Sequence, residues 1–204
     1  MENFNEIYKK AVNFATEKHI KQKRKSIPWP YIVHIYDVTQ ILIENGASKE
    51  SIIAGVLHDT VEDTDTTIEE IAKMFGRNVA YLVDMVSENK EIEYIERKKR
   101  QAIRIGGAGK DVKMIKCADL CSNLKTLSND LKVGNNSWDI FNSSKKNVQQ
   151  NYKNMINAVS SETCETEMFK KVLEYYEFAF GEKLDYNTKG DISIPSNVQK
   201  KASY

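Results

Sequence analysis

Ser51-Ile-Ile-Ala-Gly-Val-Leu-His-Asp-Thr-Val-Glu-Asp63 reads as a buried helix that abruptly acquires four ionisable residues. Ile52, Ile53, Ala54, Val56, Leu57 and Val61 would cover it on most sides. His58 and Asp59 fall one turn before Glu62 and Asp63, so a continuous helix places His58 over Glu62 and Asp59 over Asp63. A buried carboxylate without a partner is costly, and buried charge is therefore normally paired or bound to a metal. Three carboxylates and a histidine, with no Lys or Arg among them, make a cation the natural partner.

The rest of the chain reads almost entirely as helix. Its 204 residues, 41% hydrophobic, suffice for one domain with a full core. Only three prolines and nine glycines interrupt it, so the boundaries are easy to place. Apolar spacing from Phe4 through Ala15 predicts a first helix ending near Lys18. Ile27-Pro28-Trp29-Pro30 cannot continue a helix, and a second one is expected from Tyr31 to Asn45, stopped by Gly46. The His58 helix should begin near Lys49, and Thr67-Ile68-Glu69-Glu70 has the spacing of a capping box for a helix closed by Gly76. Further helices are expected at 77–88, 93–105, 110–129, 139–158 and 163–180. No segment alternates apolar and polar convincingly. Residues 182–204 are polar and are expected to form a tail, mobile or laid over a domain that spans 1–181. The expected fold class is all-α, a compact bundle of about eight or more non-parallel helices.

The formal net charge of +1 gives no general bias toward nucleic acid or a membrane surface. No apolar run approaches the roughly 20 residues of a membrane span, and the N-terminus has no signal-peptide pattern. Cys117, Cys121 and Cys164 are odd in number and lack CxxC spacing, so they read as reduced thiols in a cytoplasmic protein. Cys117 and Cys121 share a helical face and are read as small core residues rather than half a zinc site.

Two more polar residues stand in apolar surroundings: His34 within Tyr31-Ile-Val-His-Ile-Tyr-Asp-Val38, and Asp119 within Val112-Lys-Met-Ile-Lys-Cys-Ala-Asp-Leu-Cys121. With His58-Asp59 they complete the order H…HD…D, at separations of 58 − 34 = 24 and 119 − 59 = 60 residues. This order resembles the signature of the HD-domain metal-dependent phosphohydrolases. Ala11-x-x-Phe-Ala15-x-x-x-His19-x-x-Gln22-x-Arg24-Lys25, Pro30-Tyr31-Ile32-x-His34, Leu57-His-Asp-Thr-Val-Glu-Asp-Thr64 and Lys116-x-Ala-Asp119-x-x-x-Asn123-Leu-x-Thr126 resemble the alarmone hydrolases more closely. That group comprises the hydrolase domain of the long Rel/Spo enzymes and the stand-alone small alarmone hydrolases. The resemblance covers about residues 8–158.

The resemblance implies a fold of the HD type and removal of the 3′-pyrophosphate of ppGpp and pppGpp. It implies His34, His58, Asp59 and Asp119 as ligands of one divalent ion, usually Mn²⁺, and Glu62 and Asp63 as the catalytic pair. Two imidazoles with two carboxylates suit an octahedral ion of borderline-to-hard character rather than a closed thiolate zinc site. A carboxylate beside another anion has a raised proton affinity, which suits one of the pair to hold a proton near neutral pH. The resemblance also places Arg24 and Lys25 at base-binding positions, and Asn123 and Thr126 where the ribose and nucleotide are hydrogen-bonded. The partners implied are a small-molecule nucleotide and, as an option, a second copy of the chain in a homodimer.

The chain departs from the family at Leu120 and Ser122, where a basic and an aromatic or His residue are usual. It departs again at Ile35 and at Pro28-Trp29-Pro30. These positions are expected on the substrate wall, which leaves open an HD-class phosphatase acting on ppApp or on the 2′-phosphate of NADPH. An inactive nucleotide-binding regulator is the alternative outside enzymes. Glu96-Arg97-Lys98-Lys99-Arg100 reads as an exposed charge run, with added phosphate contacts as the alternative.

Overall fold

In the computed structural model, which describes residues 3–25, 28–135, 137–141, 143–186 and 192–193, ten α-helices form among the described residues. They are α1 (Phe4–Lys18), α2 (Ile32–Glu44), α3 (Lys49–Leu57), α4 (Thr60–Asp63), α5 (Ile68–Phe75), α6 (Arg77–Val86), α7 (Tyr94–Gly106), α8 (Lys110–Lys132), α9 (Lys145–Thr163) and α10 (Glu167–Phe180). The bundle is all-α, as the sequence predicts.

The 23-residue α8 is the central element, packed against α2, α3, α6, α7, α9 and α10. Between Val112 and Cys121 every residue but Lys116 is buried, so this part of the helix is enclosed nearly all round and sits within the core rather than on it. Leu57, Ile115, Leu124, Ile156 and Tyr176 are among its fully buried large side chains. Each aliphatic side chain removed from water in this way contributes about 1.5–3 kcal/mol. Cys117 and Cys121 are buried free thiols, in keeping with their reading as core residues.

The helix ends follow their local chemistry. Asn3, Ser48, Thr67, Ser144 and Thr166 cap the helices that follow them, each side chain accepting a backbone N–H. Gly46 ends the turn after α2 at φ +67°, a conformation that L side chains rarely adopt. That turn folds α3 back onto α2. The two helices approach so closely at Gly55 that a Cβ there would lie 2.3 Å from Leu42 Cδ1.

Four expectations need correction. The His58 helix is not continuous: it stops at Leu57 and restarts at Thr60. α9 begins at Lys145 rather than 139, and a short 3₁₀ turn, Ser137–Ile140, occupies the preceding stretch. α10 begins at Glu167, after a cap at Thr166, rather than at 163. A small antiparallel pair, β1 (Asp185–Tyr186) with β2 (Ile192–Ser193), lies in the segment expected to be a polar tail. The described part of that segment is laid over the body. Leu184 is buried, Glu182 accepts from Lys153 and Gln149, and the Tyr186 ring meets Phe169 edge-on at 5.2 Å. Residues 187–191 and 194–204 of the expected tail lie outside the described residues. Among the described residues no helix is long and apolar enough to cross a membrane.

Leu42 is itself fully buried and cannot swing away from a new neighbour at Gly55. Gly55→Val should therefore cost about 1–3 kcal/mol of stability by overpacking. Urea denaturation measures this, and a variant as stable as the parent would contradict the close contact of α2 with α3.

Candidate metal centre and active-site cleft

The break between α3 and α4 comes from side chains that compete with the backbone for the last carbonyls of α3. His58 Nδ1 bonds Gly55 O at 2.8 Å, and the Thr60 hydroxyl donates to Leu57 O at 2.7 Å. The chain resumes helical bonding at once, with the Asp63 N–H on Asp59 O at 2.9 Å. The break presents His58 and Asp59 to one point instead of distributing them along a helix face.

Three segments meet at that point. His34 from α2 and Asp119 from α8 join His58 and Asp59, and both imidazoles are buried. His34 Nε2 lies 3.6 Å from Asp59 Oδ2 and 3.4 Å from Asp119 Oδ1. His58 Nε2 lies 2.8 Å from Asp59 Oδ2 and 4.0 Å from Asp119 Oδ1. One ligand atom from each of His34, His58 and Asp59 falls within 4.8 Å of the others, a set that could hold a metal ion. His58 Nε2 is buried without a hydrogen-bond partner despite its closeness to Asp59. With Nδ1 committed to a carbonyl, Nε2 is the ring atom turned toward the acidic oxygens, which is the disposition of an imidazole that ligates a metal through Nε2 once that nitrogen gives up its proton. His34, His58 and Asp59 therefore fit a divalent ion, with Asp119 beside the two imidazoles but outside that set.

The surroundings tune these groups. Burial would lower the His58 pKa, but Asp59 and Asp119 outweigh it and push the imidazole up to about 9 in the absence of an ion. Burial dominates at His34 and lowers its pKa. Burial would raise both aspartates. The His58 charge at Asp59, and Lys116 with the histidines at Asp119, hold them below the usual carboxylate range. Asp119 Oδ2 accepts Lys116 Nζ at 2.8 Å, Oδ1 accepts Asn123 Nδ2 at 2.5 Å, and Asp59 Oδ2 accepts the Tyr31 hydroxyl at 2.7 Å.

Ser122 does not stand on the substrate wall as expected. It is buried, with Oγ 3.0 Å from His34 Nδ1, behind the cluster. Ile35 is likewise buried in the core, whereas Leu120 lines a pocket of about 110 Å³ beside Asp119.

Glu62 and Asp63 open onto a cleft of about 390 Å³ that also exposes Asp59 and Asp119. Lys90, well outside the motif in sequence, lies across both: it bonds Asp63 and stands 3.8 Å from Glu62 Oε1. Asp63 also accepts Gln22 Nε2 at 2.7 Å, and Glu62 accepts the Glu88 N–H at 3.1 Å. Burial, with the charges of Asp59 and Glu88 behind it, raises the Glu62 pKa. Glu88 is itself held by Arg97 at 2.8 Å and Lys98 at 2.6 Å, so two members of the expected exposed charge run instead line the cleft. Arg100 pairs outward with Glu96.

Arg24, Lys25, Asn123 and Thr126 all line this cleft. Arg24 donates to Asn123 Oδ1 at 2.9 Å and lies over the Tyr31 ring. Sequence reasoning assigned no role to Gln22, Tyr31, Glu88, Lys90 or Lys116. Gln22, Tyr31 and Lys116 were inside the quoted motifs and could have been found there; Glu88 and Lys90 sit in a loop whose path only the fold defines.

A profile of the HD domain matches residues 11–142. Among curated proteins, the chain is 41% identical over 120 residues to guanosine-3′,5′-bis(diphosphate) 3′-pyrophosphohydrolase MESH1 of Xenopus tropicalis, covering 57% of this chain and 67% of that protein. It is 44% identical over 121 residues to the Aquifex aeolicus protein named guanosine-3′,5′-bis(diphosphate) 3′-pyrophosphohydrolase, covering 58% of this chain but 17% of that one. Among solved structures it resembles one described as a metazoan ortholog of SpoT that hydrolyses ppGpp, with a TM-score of 0.69 and 28% identity over 84% of this chain and 94% of that one. A Listeria monocytogenes structure gives a TM-score of 0.67 at 28% identity, over 73% of this chain and 99% of that one.

Because the folded-state pKa of Glu62 is raised, its cost to the fold is absent below the ordinary carboxylate range and appears as pH rises through the raised value. Glu62→Gln should therefore match or exceed the parent in Tm at pH 8 and lose that advantage near pH 4. A Tm deficit at pH 8 that closes on acidification would reverse the sign and refute the shift.

Proposed function

Since this chain belongs to the HD-domain family, we propose that it is a Mn²⁺-dependent hydrolase in the cytoplasm. It removes the 3′-pyrophosphate of guanosine alarmones, converting ppGpp to GDP and pppGpp to GTP. The observation that carries the reading is the convergence of His34, His58, Asp59 and Asp119 beside the Glu62–Asp63 pair in a cleft rimmed with cations. The names and coverage of the relatives support the same class of substrate.

In this reading His34, His58, Asp59 and Asp119 hold the ion. When bound it polarises a phosphoryl oxygen and lowers the pKa of water. The chain's own groups do the rest. Glu62, buried and with raised proton affinity, takes a proton from the attacking water. Asp63, with its oxygens engaged by Gln22 and Lys90, is held in place and orients that water. The water oxygen bonds to the phosphorus on the ribose 3′-oxygen, the P–O3′ bond breaks, and Glu62 returns the proton to the leaving oxygen. Pyrophosphate and a nucleoside 5′-di- or triphosphate result. Arg24, Lys25, Asn123 and Thr126 hold the nucleoside, and Lys98, Arg97 and Lys116 offset the charge of the phosphates.

Purified protein incubated with Mn²⁺ should release pyrophosphate from ppGpp, stop when chelated and resume on readdition of Mn²⁺. Glu62→Gln should lower kcat by about 10²–10⁴. Release of orthophosphate alone would point to a phosphomonoesterase. Absence of turnover with ppGpp, ppApp and NADPH alike would leave a binding protein and overturn the proposal.

Ser122 supports His34 from behind the site, so Ser122→Ala should weaken Mn²⁺ binding by about 10–100-fold in calorimetric titration. Unchanged affinity would remove Ser122 from the metal centre.

A further inference from the structure

The stripe of α8 that faces the cleft does not end at Thr126. Asp130, one turn further, lines the same cleft together with Lys25, Leu127 and Ile140. It is 5% exposed, and its Oδ2 is buried with no hydrogen-bond partner. A carboxylate buried in this way loses its hydration without compensation, and a ligand that brings N–H donors to it removes that cost.

The position limits which part of a nucleotide can arrive there. Asp130 follows Asp119 by 130 − 119 = 11 residues, about 16 Å along the helix axis. With the 3′-phosphate at the His–Asp cluster and the sugar beside Asn123, the base is the part that reaches the far end of the stripe. Guanine presents N1–H and N2–H₂ side by side on one edge, two donors for the two oxygens of one carboxylate. Adenine presents an unprotonated N1 at the corresponding place, an acceptor that a carboxylate repels. Uracil and cytosine are too short to span the same distance from the sugar.

We propose that Asp130 is the specificity-determining residue of the cleft and reads the N1–H/N2–H₂ edge of guanine. This rests on the alarmone-hydrolase reading above and adds to it a residue that chooses the base. It also separates two tasks within the cleft: Arg24 and Lys25 supply charge and a flat guanidinium face that any purine can use, while Asp130 discriminates between purines.

Calorimetric binding of the 5′-diphosphates of guanosine, inosine and adenosine tests this without turnover. Inosine keeps N1–H but lacks the 2-amino group. The parent should bind the guanosine compound about tenfold more tightly than the inosine compound and up to about a hundredfold more tightly than the adenosine compound. Asp130→Asn offers one acceptor and one donor. It should lose most of the preference for guanosine over inosine and gain affinity for adenosine, with the drop in kcat/KM for ppGpp coming through KM. Thermal melts verify that the variant folds. If it does not, the parent's ranking of the three nucleotides decides alone. Equal affinities in the parent, no binding of the guanosine compound, or an Asp130→Asn ranking identical to the parent's would overturn the inference. Failure to hydrolyse ppGpp while the guanosine preference holds would instead count against the hydrolase reading.

Discussion

The constraint on which the rest of the molecule depends is electrostatic. Two imidazoles and two carboxylates are gathered inside a helical core, where an isolated charge is heavily penalised. Each is anchored by a different helix or helix end, and each anchor is one that the core itself fixes. His34 is carried by α2, whose approach to α3 is set by the missing side chain at Gly55. His58 and Asp59 sit at the break after α3, and Asp119 lies in the most deeply buried part of α8. Withdrawing any one helix would leave the others' polar groups buried without their counter-charges. The cluster is thus a condition on the packing as well as a product of it.

Around it the chain alternates charge in shells. Lys116 neutralises the far oxygen of Asp119, Glu88 sits between Lys98 and Arg97, and the Glu88 N–H in turn holds Glu62. Glu88 keeps its charge although it is almost fully enclosed: burial would raise its pKa, and Lys98 and Lys116 more than reverse that. A phosphorylated ligand entering the cleft therefore meets cations already held in place by a carboxylate, and loses less side-chain entropy on binding than it would among free lysines.

Much of this could be read from the residues in order. The apolar spacing around His34 and Asp119 marked them as polar groups in a core, and the HD pair joined them into one set. The caps at Thr67 and Gly46 were legible because capping is local chemistry. The break at His58 was not. It depends on a ring nitrogen and a hydroxyl taking carbonyls that the next turn would otherwise claim, and period alone cannot decide that contest. Lys90 was missed for a different reason: it lies 27 residues from Asp63 in a loop, and its approach follows from how α6 and α7 are joined rather than from any pattern in its neighbours. Ser122 precedes Asn123, yet a one-residue step on a helix turns a side chain by more than a quarter of a circle, enough to carry it from the cleft to the back of His34.

The same rotation per residue makes Glu62 and Asp63, adjacent in sequence and chemically alike, unequal. One step around the short α4 turns Asp63 toward Gln22 and Lys90, where both oxygens are satisfied by donors. Glu62 points toward Asp59 and Glu88, whose charges add to burial in raising its pKa; it accepts the Glu88 N–H, and Lys90 stands 3.8 Å from its Oε1, beyond hydrogen-bond reach. Asp63 is thereby fixed in position, whereas the burial and neighbouring anions around Glu62 raise its proton affinity. The break before α4 produces both environments at once, since a straight continuation of α3 would have pointed the pair along a different bearing relative to His58 and Asp59. The difference between the two environments is therefore built into the backbone turn at His58–Asp59, ahead of any ligand.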